Sequence, residues 1–463
     1  MNSHDLIRLG VPRAAHRRAI DFIAAFLLKG GDKHSLEAEI TAIVQNPALF
    51  AEDPLRKEFA KAVVNSPPPP RTDPVNYKQW GEGLEPDAIR QIQDACLLPI
   101  SVAGALMPDA HVGYGLPIGG VLATKNAVIP YAVGVDIACR MKMTVLDLPI
   151  DHLERKQDRL TRAIEEETRF GVGASFKSRR EHDVLDADWT CSPITRQNKD
   201  KAWSQLGTSG SGNHFVEFGI FTAKEKIHDL PPGQYIALLS HSGSRGTGAA
   251  VCDHYSKLAA KKHQDLPKEL QKLAWLSFED ADGQEYWAAM ELMGRYAAAN
   301  HAVIHQHIAR NLEAQVLLDL ENHHNFAWKE THIVDGTPQE VVVHRKGATP
   351  AGKGVLGIIP GSMASPGFVV RGRGNPDSLN SASHGAGRVM SRTRANQTFN
   401  WKEVNQFLRE RGVTLISAGL DEVPMVYKDI HTVMSAQSDL VDVIGQFDPR
   451  LVKMAPHGER PED

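Results

Sequence analysis

The chain predicts a mixed α+β fold: one large domain with a small helical appendage. Three observations predict it. Short β-prone runs recur along the sequence, two long stretches rich in Glu, Lys, Arg, Ala and Leu read as helices, and the two kinds of element follow neither a regular alternation nor an internal repeat. A doubly wound sheet needs a strand–helix alternation, so its absence favours mixed α+β. At 463 residues the chain also exceeds what one small core holds.

Residues 1–65 read as a helical unit. Pro12 opens a helix through Leu28 that Gly30-Gly31 stops, and Asn46-Pro47 and Asp53-Pro54 each place an N-cap before a proline at the first helical position. Ser66-Pro67-Pro68-Pro69-Pro70-Arg71 forms a stiff polyproline spacer, and residues 66–84 serve as a linker. The main domain spans residues 85–453. A helix opens near Pro86, and residues 102–107 form a strand ending at Pro108-Asp109. Glycine turns and short strands continue to about Val145. Residues 151–169 and 284–318 are the long helices; 235–239, 340–344, 354–359 and 368–371 are strands. Residues 454–463 are expected to be a disordered tail.

Composition narrows the function classes. There is no signal-peptide core near Met1, and the longest apolar run, residues 22–28, is too short to span a bilayer. Four scattered cysteines without a CxxC pair argue against a disulfide framework or structural zinc site and suit a reducing cytoplasm. A net charge of −4 excludes a generally basic nucleic-acid coat. Between Arg345 and Arg394, however, Arg345, Lys346, Lys353, Arg371, Arg373, Arg388, Arg392 and Arg394 face Asp377 alone. A local anion-binding surface is expected there.

Chemistry concentrates in polar, glycine-punctuated stretches. Cys139 follows Asp136 by three residues behind Gly134, and histidines lie in Asn213-His214, His241-Ser242-Gly243, His323-His324-Asn325 and Ser383-His384-Gly385. A thiolate, a carboxylate and imidazoles form a mixed donor set for zinc, manganese, iron or cobalt, and a thiolate can bridge two ions that clamp a phosphoryl group. The plain alternative for a lone cysteine is a small buried hydrophobe. Gly207-Thr208-Ser209-Gly210-Ser211-Gly212 can bring backbone N–H groups to a phosphate, with Asn213, His214 and Glu217 following it at the mouth of a strand. His241 ends an apolar strand with Arg245 four residues on. Of His323 and His324, which face opposite sides of an extended chain, one reaches a metal. His384 is a competent nucleophile towards phosphorus, with Arg388 and Arg392 one helical turn apart to neutralise phosphate oxygens. Spacing alone leaves open whether His384 is nucleophile or a further ligand.

With these residues assembled, the chain resembles the RtcB family of RNA-splicing ligases over about residues 85–453. The matching motifs are Met107-Pro108-Asp109-Ala110-His111, Gly134-Val135-Asp136-Ile137-Ala138-Cys139, Gly210-Ser211-Gly212-Asn213-His214-Phe215, His241-Ser242-Gly243-Ser244-Arg245-Gly246 and His323-His324-Asn325. They continue through His344-Arg345-Lys346-Gly347-Ala348, Ile359-Pro360-Gly361-Ser362-Met363, Ser383-His384-Gly385-Ala386-Gly387-Arg388 and Tyr427-Lys428-Asp429. The resemblance implies an RtcB-like mixed fold with a central cleft, two Mn²⁺ ions and GTP. It implies metal ligation by Asp136, Cys139, His214, His241 and His324, with Cys139 bridging, and guanylylation of His384. Nucleotide contacts fall on Asn213, Glu217, Asn325, Ser362, Gly385, Ala386, Gly387, Arg388, Tyr427 and, after a one-residue register adjustment, Lys453; Arg245 and Lys346 fall near the phosphates. The implied reaction joins RNA 2′,3′-cyclic phosphate or 3′-phosphate ends to 5′-hydroxyl ends in the cytoplasm, in RNA repair or tRNA splicing. It leaves room for an activating protein partner and gives no membrane role.

Three departures stand out. Arg140 replaces a usual glycine after Cys139, Gly367 stands where a serine is usual, and residues 1–70 have no counterpart in the minimal pattern. Two further readings stay in view: a two-metal phosphoesterase on RNA ends that does not ligate, and a non-catalytic RNA-end binder.

Overall fold

The computed structural model describes residues 1–66 and 68–460. Two sheets, largely antiparallel, carry the main domain, as expected of α+β. The first has five strands in the order Tyr77–Gln79, Ser101–His111, Ile118–Thr124, Thr337–Lys346, Asn325–Val334. The second runs Leu356–Ile359, Gly367–Gly372, Val441–Met454, Phe215–Ala223, Gly233–Ser242, Arg140–Leu146, Val316–His323, with Thr414–Ser417 paired beside Val441–Met454. A single cavity draws its lining from both sheets.

The strand Arg140–Leu146, between Gly233–Ser242 and the edge strand Val316–His323, is buried along its whole length. Its register sets Lys142 opposite Glu321 and Thr144 opposite Asp319, so its buried cations meet carboxylates on the next strand. Arg140 bonds Glu321 at 3.0 Å and the Gly294 carbonyl at 3.1 Å. The Ala281–Asn311 helix packs near these strands and buries His301 and His305, which meet Ser240 at 2.7 Å each. Among the described residues no helix is long and apolar enough to cross a membrane.

The N-terminal residues build a core of their own. Helices Ser3–Arg8, His16–Leu28, Leu36–Gln45 and Lys57–Val64 bury Leu6, Phe22, Phe26, Ile40, Ile43 and Phe59 together. The Phe22 and Phe59 rings stack at 5.8 Å. Arg13 and Ala14 backbone N–H groups, at 2.9 and 3.2 Å, hold the unit to the Asp265 carboxylate of the main domain.

Several expected boundaries move. The helix begun at Pro12 is a 3₁₀ turn, Arg13–Ala15, before His16–Leu28. Asn46 makes no side-chain cap, whereas Asp53 accepts the Leu55 and Arg56 N–H groups at 2.8 Å each. The 151–169 helix splits into His152–Arg155 and Gln157–Glu167 at Lys156. The 284–318 helix ends at Asn311, closed by an N–H of Ala314 on the Ala309 carbonyl (2.9 Å) and Glu313 at φ 55; Val316 and Leu318 begin a strand. Ser101–His111 passes through Pro108-Asp109 rather than stopping there. Tyr77–Gln79, assigned to the linker, pairs in parallel with that strand; of the polyproline run, Pro67 lies outside the described residues. The segment after Lys453, expected to be disordered, continues the strand to Met454, and Ser211 donates to the Arg460 carbonyl at 2.6 Å; residues 461–463 lie outside the described residues.

Candidate active site

The cleft begins at the turn before Arg140–Leu146. Ala138 adopts φ 57, with its N–H on the Asn325 carbonyl at 2.7 Å and the Cys139 N–H on the Asp136 carbonyl at 3.2 Å. This turn aims Asp136 and Cys139 the same way. Gly243 is required opposite, because a Cβ there would lie 2.0 Å from Asp136 Oδ1; the next N–H, Ser244, donates to that oxygen at 3.1 Å.

His214 precedes its strand, His241 lies near the end of Gly233–Ser242, and His324 sits between two strands. The five side chains form two groups of donor atoms sharing one sulfur: Cys139, His241 and His324, and Asp136, Cys139 and His214. Cys139 Sγ is 3.1 Å from His241 Nε2 and 3.5 Å from His214 Nε2. His214 Nε2 is 3.0 Å from Asp136 Oδ2, and His241 Nε2 is 3.1 Å from His324 Nε2. Nδ1 of His241 donates to the Asn213 carbonyl at 3.0 Å, which leaves the Nε2 lone pair facing the cluster. Burial, with the nearby His214, pushes the His241 imidazole down to about 3, and burial pushes His324 well below the usual imidazole range. Neutral imidazoles and a sulfur crowded within hydrogen-bond distance form a set that could hold metal. His323 is a bystander: its ring packs 4.9 Å from Phe326 and 5.0 Å from Trp328.

His384 adjoins this cluster, its ring 4.9 Å from that of His324. Its Nδ1 meets Asp109 Oδ2 at 2.7 Å, and the same oxygen accepts the N–H groups of His384 (3.2 Å) and Gly385 (3.3 Å). Asp109 is wholly buried, so its carboxylate fixes both the loop and the ring. Gly387, at φ 74, lets the loop lie against this strand; a Cβ there would meet the Asp109 carbonyl at 2.0 Å. In the sequence the signal for Asp109 is its place in Met107-Pro108-Asp109-Ala110-His111, which a strand end at Pro108-Asp109 hides.

The cavity measures about 600 Å³, within the range of small-molecule sites. Asp136, Cys139, His214, His241, His324 and His384 line it with Asn213, Glu217, Asn325, Lys346, Ser362, Gly385, Ala386, Gly387, Arg388 and Tyr427. Burial pushes the Glu217 carboxyl well above the usual range. Asn325 braces the floor, accepting the Gly347 N–H at 2.8 Å and donating to the Asp136 carbonyl at 3.3 Å. Lys346 Nζ donates to the Tyr114 carbonyl at 2.6 Å, and burial pushes its ammonium down to about 8. Ser362 Oγ donates to Ser365 Oγ at 2.9 Å, which puts a hydroxyl pair beside Gly367.

Two predicted residues lie outside this lining. Lys453 points to the other face of its strand, with Nζ 3.3 Å from Glu165, while its neighbours Val452 and Met454 face the cavity. Arg245, at φ 54, is buried with Thr208 Oγ1 and the Gly171 carbonyl at 3.0 Å each. Nor does the basic 345–394 segment form an open anion surface. Arg345 is buried on Glu330 (2.6 Å), Arg371 pairs with Glu225, Arg373 pairs with Asp442 (2.5 Å), and Arg388 and Arg392 both reach Glu422. Arg388 precedes the Arg392–Thr398 helix instead of sharing a turn with Arg392. Arg140 is likewise committed to Glu321.

The family model described as "tRNA-splicing ligase RtcB" matches residues 91–454. RNA-splicing ligase RtcB of Escherichia coli (strain K12) is 34% identical over 407 residues, covering 81% of this chain and 96% of that protein. The tRNA-splicing ligase RtcB of Methanococcus maripaludis is 31% identical over 450 residues (81% and 92%), and that of Nanoarchaeum equitans 30% over 435 residues (78% and 90%).

Proposed function

The chain belongs to the RtcB family of RNA-splicing ligases, and we propose that this RNA ligase joins 2′,3′-cyclic phosphate or 3′-phosphate RNA ends to 5′-hydroxyl ends, using GTP and two Mn²⁺ ions. The observation that carries the reading is the His384–Asp109 contact at 2.7 Å beside the Cys–His cluster. Asp109 holds the His384 proton on Nδ1, which leaves the Nε2 lone pair as the nucleophile. Nε2 attacks the α-phosphorus of GTP; the N–P bond forms as the bond to pyrophosphate breaks. A 2′,3′-cyclic end is first opened by water, which breaks the bond from phosphorus to O2′ and leaves a 3′-phosphate. A 3′-phosphate oxygen then takes GMP as the N–P bond to His384 breaks, and the 5′-hydroxyl displaces GMP from the activated end.

Asp136, Cys139, His214, His241 and His324 would hold the metals, with Cys139 common to both sets. When bound, the ions supply charge neutralisation for phosphoryl oxygens. Lys346 supplies a fixed cation inside the cavity. Asn213, Glu217, Ser362, Tyr427 and the 385–388 loop would surround the nucleotide. A cytoplasmic setting belongs to the same proposal. A two-metal phosphoesterase attacks with water and needs no oriented imidazole nucleophile, so the His384–Asp109 contact favours ligation over that alternative. End-labelled RNA with a 3′-phosphate and a 5′-hydroxyl is expected to be sealed only with GTP and Mn²⁺. Dephosphorylation without sealing, at the same rate with and without GTP, would favour the phosphoesterase.

A further inference from the structure

Tyr114 stands on the rim of the cleft and is 62% exposed, yet its backbone is clamped. Lys346 Nζ holds its carbonyl at 2.6 Å. Gly113 exchanges two hydrogen bonds with the Gln91 side chain, at 3.0 and 2.7 Å, and the Val112 N–H donates to Glu85 at 3.1 Å. An aromatic ring held open to solvent on fixed backbone offers stacking at little ordering cost.

A cation accompanies it. Lys272 Nζ lies 4.0 Å from the Tyr114 ring centroid and 5.6 Å from that of Tyr131, and the two rings meet edge-on at 6.5 Å. Among the described residues Lys272 has no carboxylate partner. A second hollow of about 480 Å³ adjoins the cleft here: Tyr131 and Val135 line both, and Lys272 and Lys257 line the second. Aromatic faces beside cations, continuous with a phosphate-chemistry cleft, match single-stranded nucleic acid.

We infer that Tyr114, with Lys272 over one face of its ring, docks a nucleoside of the single-stranded RNA end where the chain leaves the cleft: the base stacks on the face that Lys272 does not cover and a backbone phosphate meets the ammonium. The inference rests on the RNA-ligase reading above. Every base has a stacking face, so the platform is tolerant of sequence.

Fluorescence anisotropy of the full chain with two labelled oligoribonucleotides tests it, one ending in a 3′-phosphate and one beginning with a 5′-hydroxyl. Tyr114→Ala is expected to weaken binding of at least one oligomer about 5- to 150-fold, with Tyr114→Phe within about twofold of wild type. Lys272→Ala is expected to weaken binding and flatten its salt dependence. The oligomer affected identifies the strand on the platform. Unchanged affinity of Tyr114→Ala for both oligomers, or equal losses in Tyr114→Phe and Tyr114→Ala, overturns the inference. Labelled-GTP adduct formation by the wild-type chain reports on the ligase reading separately. Binding lost in Tyr114→Ala with no wild-type adduct keeps the platform and sinks the ligase reading; an adduct with unchanged RNA binding does the reverse.

Discussion

At the scale of single residues, the proposed chemistry turns on Asp109 and Lys346. Replacing Asp109 by Asn keeps the size but lets the amide favour the other tautomer of His384. Adduct formation is expected to slow by about 100-fold or more, read as the rate of label transfer from GTP; an unchanged rate would remove Asp109 from the mechanism. Lys346 titrates near 8, pushed down by burial from 10.5. The folded state holds this proton less tightly than the unfolded chain, so stability from this group grows as pH rises from about 8 towards 10.5. The Lys346 cation that the proposal sets beside phosphate is lost as pH rises through about 8. Ligation is therefore expected to fall above about pH 8 without loss of melting temperature, and Lys346→Arg should move that limb upward. The donor residues were legible because a cysteine, a carboxylate and histidines in glycine-flanked turns have few other uses together. Lys453 was not, because a strand's faces alternate and one residue of register reverses the side chain.

At the scale of elements, the paired strands Asn325–Val334 and Thr337–Lys346 carry Asn325 and Lys346 to the cleft and are tied by an ion pair between the buried Arg345 and the half-buried Glu330. Burial pushes the Glu330 carboxyl up, but the His332 hydrogen bond and the Arg345 guanidinium outweigh it and hold Glu330 below its usual range. Glu330→Gln leaves the buried Arg345 charge uncompensated and is expected to cost about 3 kcal/mol or more, read by urea denaturation. The helix predicted through Leu318 overran because Ala281–Asn311 ends without glycine or proline. Yet the strand's pattern was there to read, with Leu318 and Leu320 buried and Leu317, Asp319 and Glu321 turned away. The basic segment misled for a different reason. Its partner acids Glu225, Glu330, Glu422 and Asp442 come from other parts of the chain, which a local charge count cannot include.

At the scale of the whole molecule, the residues that could hold metal come from separate turns and strands, so on the proposed reading metal binding couples to folding. Mn²⁺ is expected to raise the melting temperature as its concentration rises, by the equivalent of about 2.7 kcal/mol at a hundredfold excess over Kd, and Cys139→Ala should abolish that shift. The N-terminal unit has a core of its own. Phe59→Ala is expected to destabilise that unit by about 3–5 kcal/mol while GTP labelling of the chain persists, checked by limited proteolysis beside the adduct assay.

The central claim is that His384 is the nucleophile and not a further metal ligand. The direct measurement is peptide mass spectrometry of the full chain after incubation with GTP and Mn²⁺ and no RNA. The account predicts one GMP, acid-labile, on the peptide containing His384, and none in His384→Ala. GMP on another residue, or an adduct that survives His384→Ala, would contradict it.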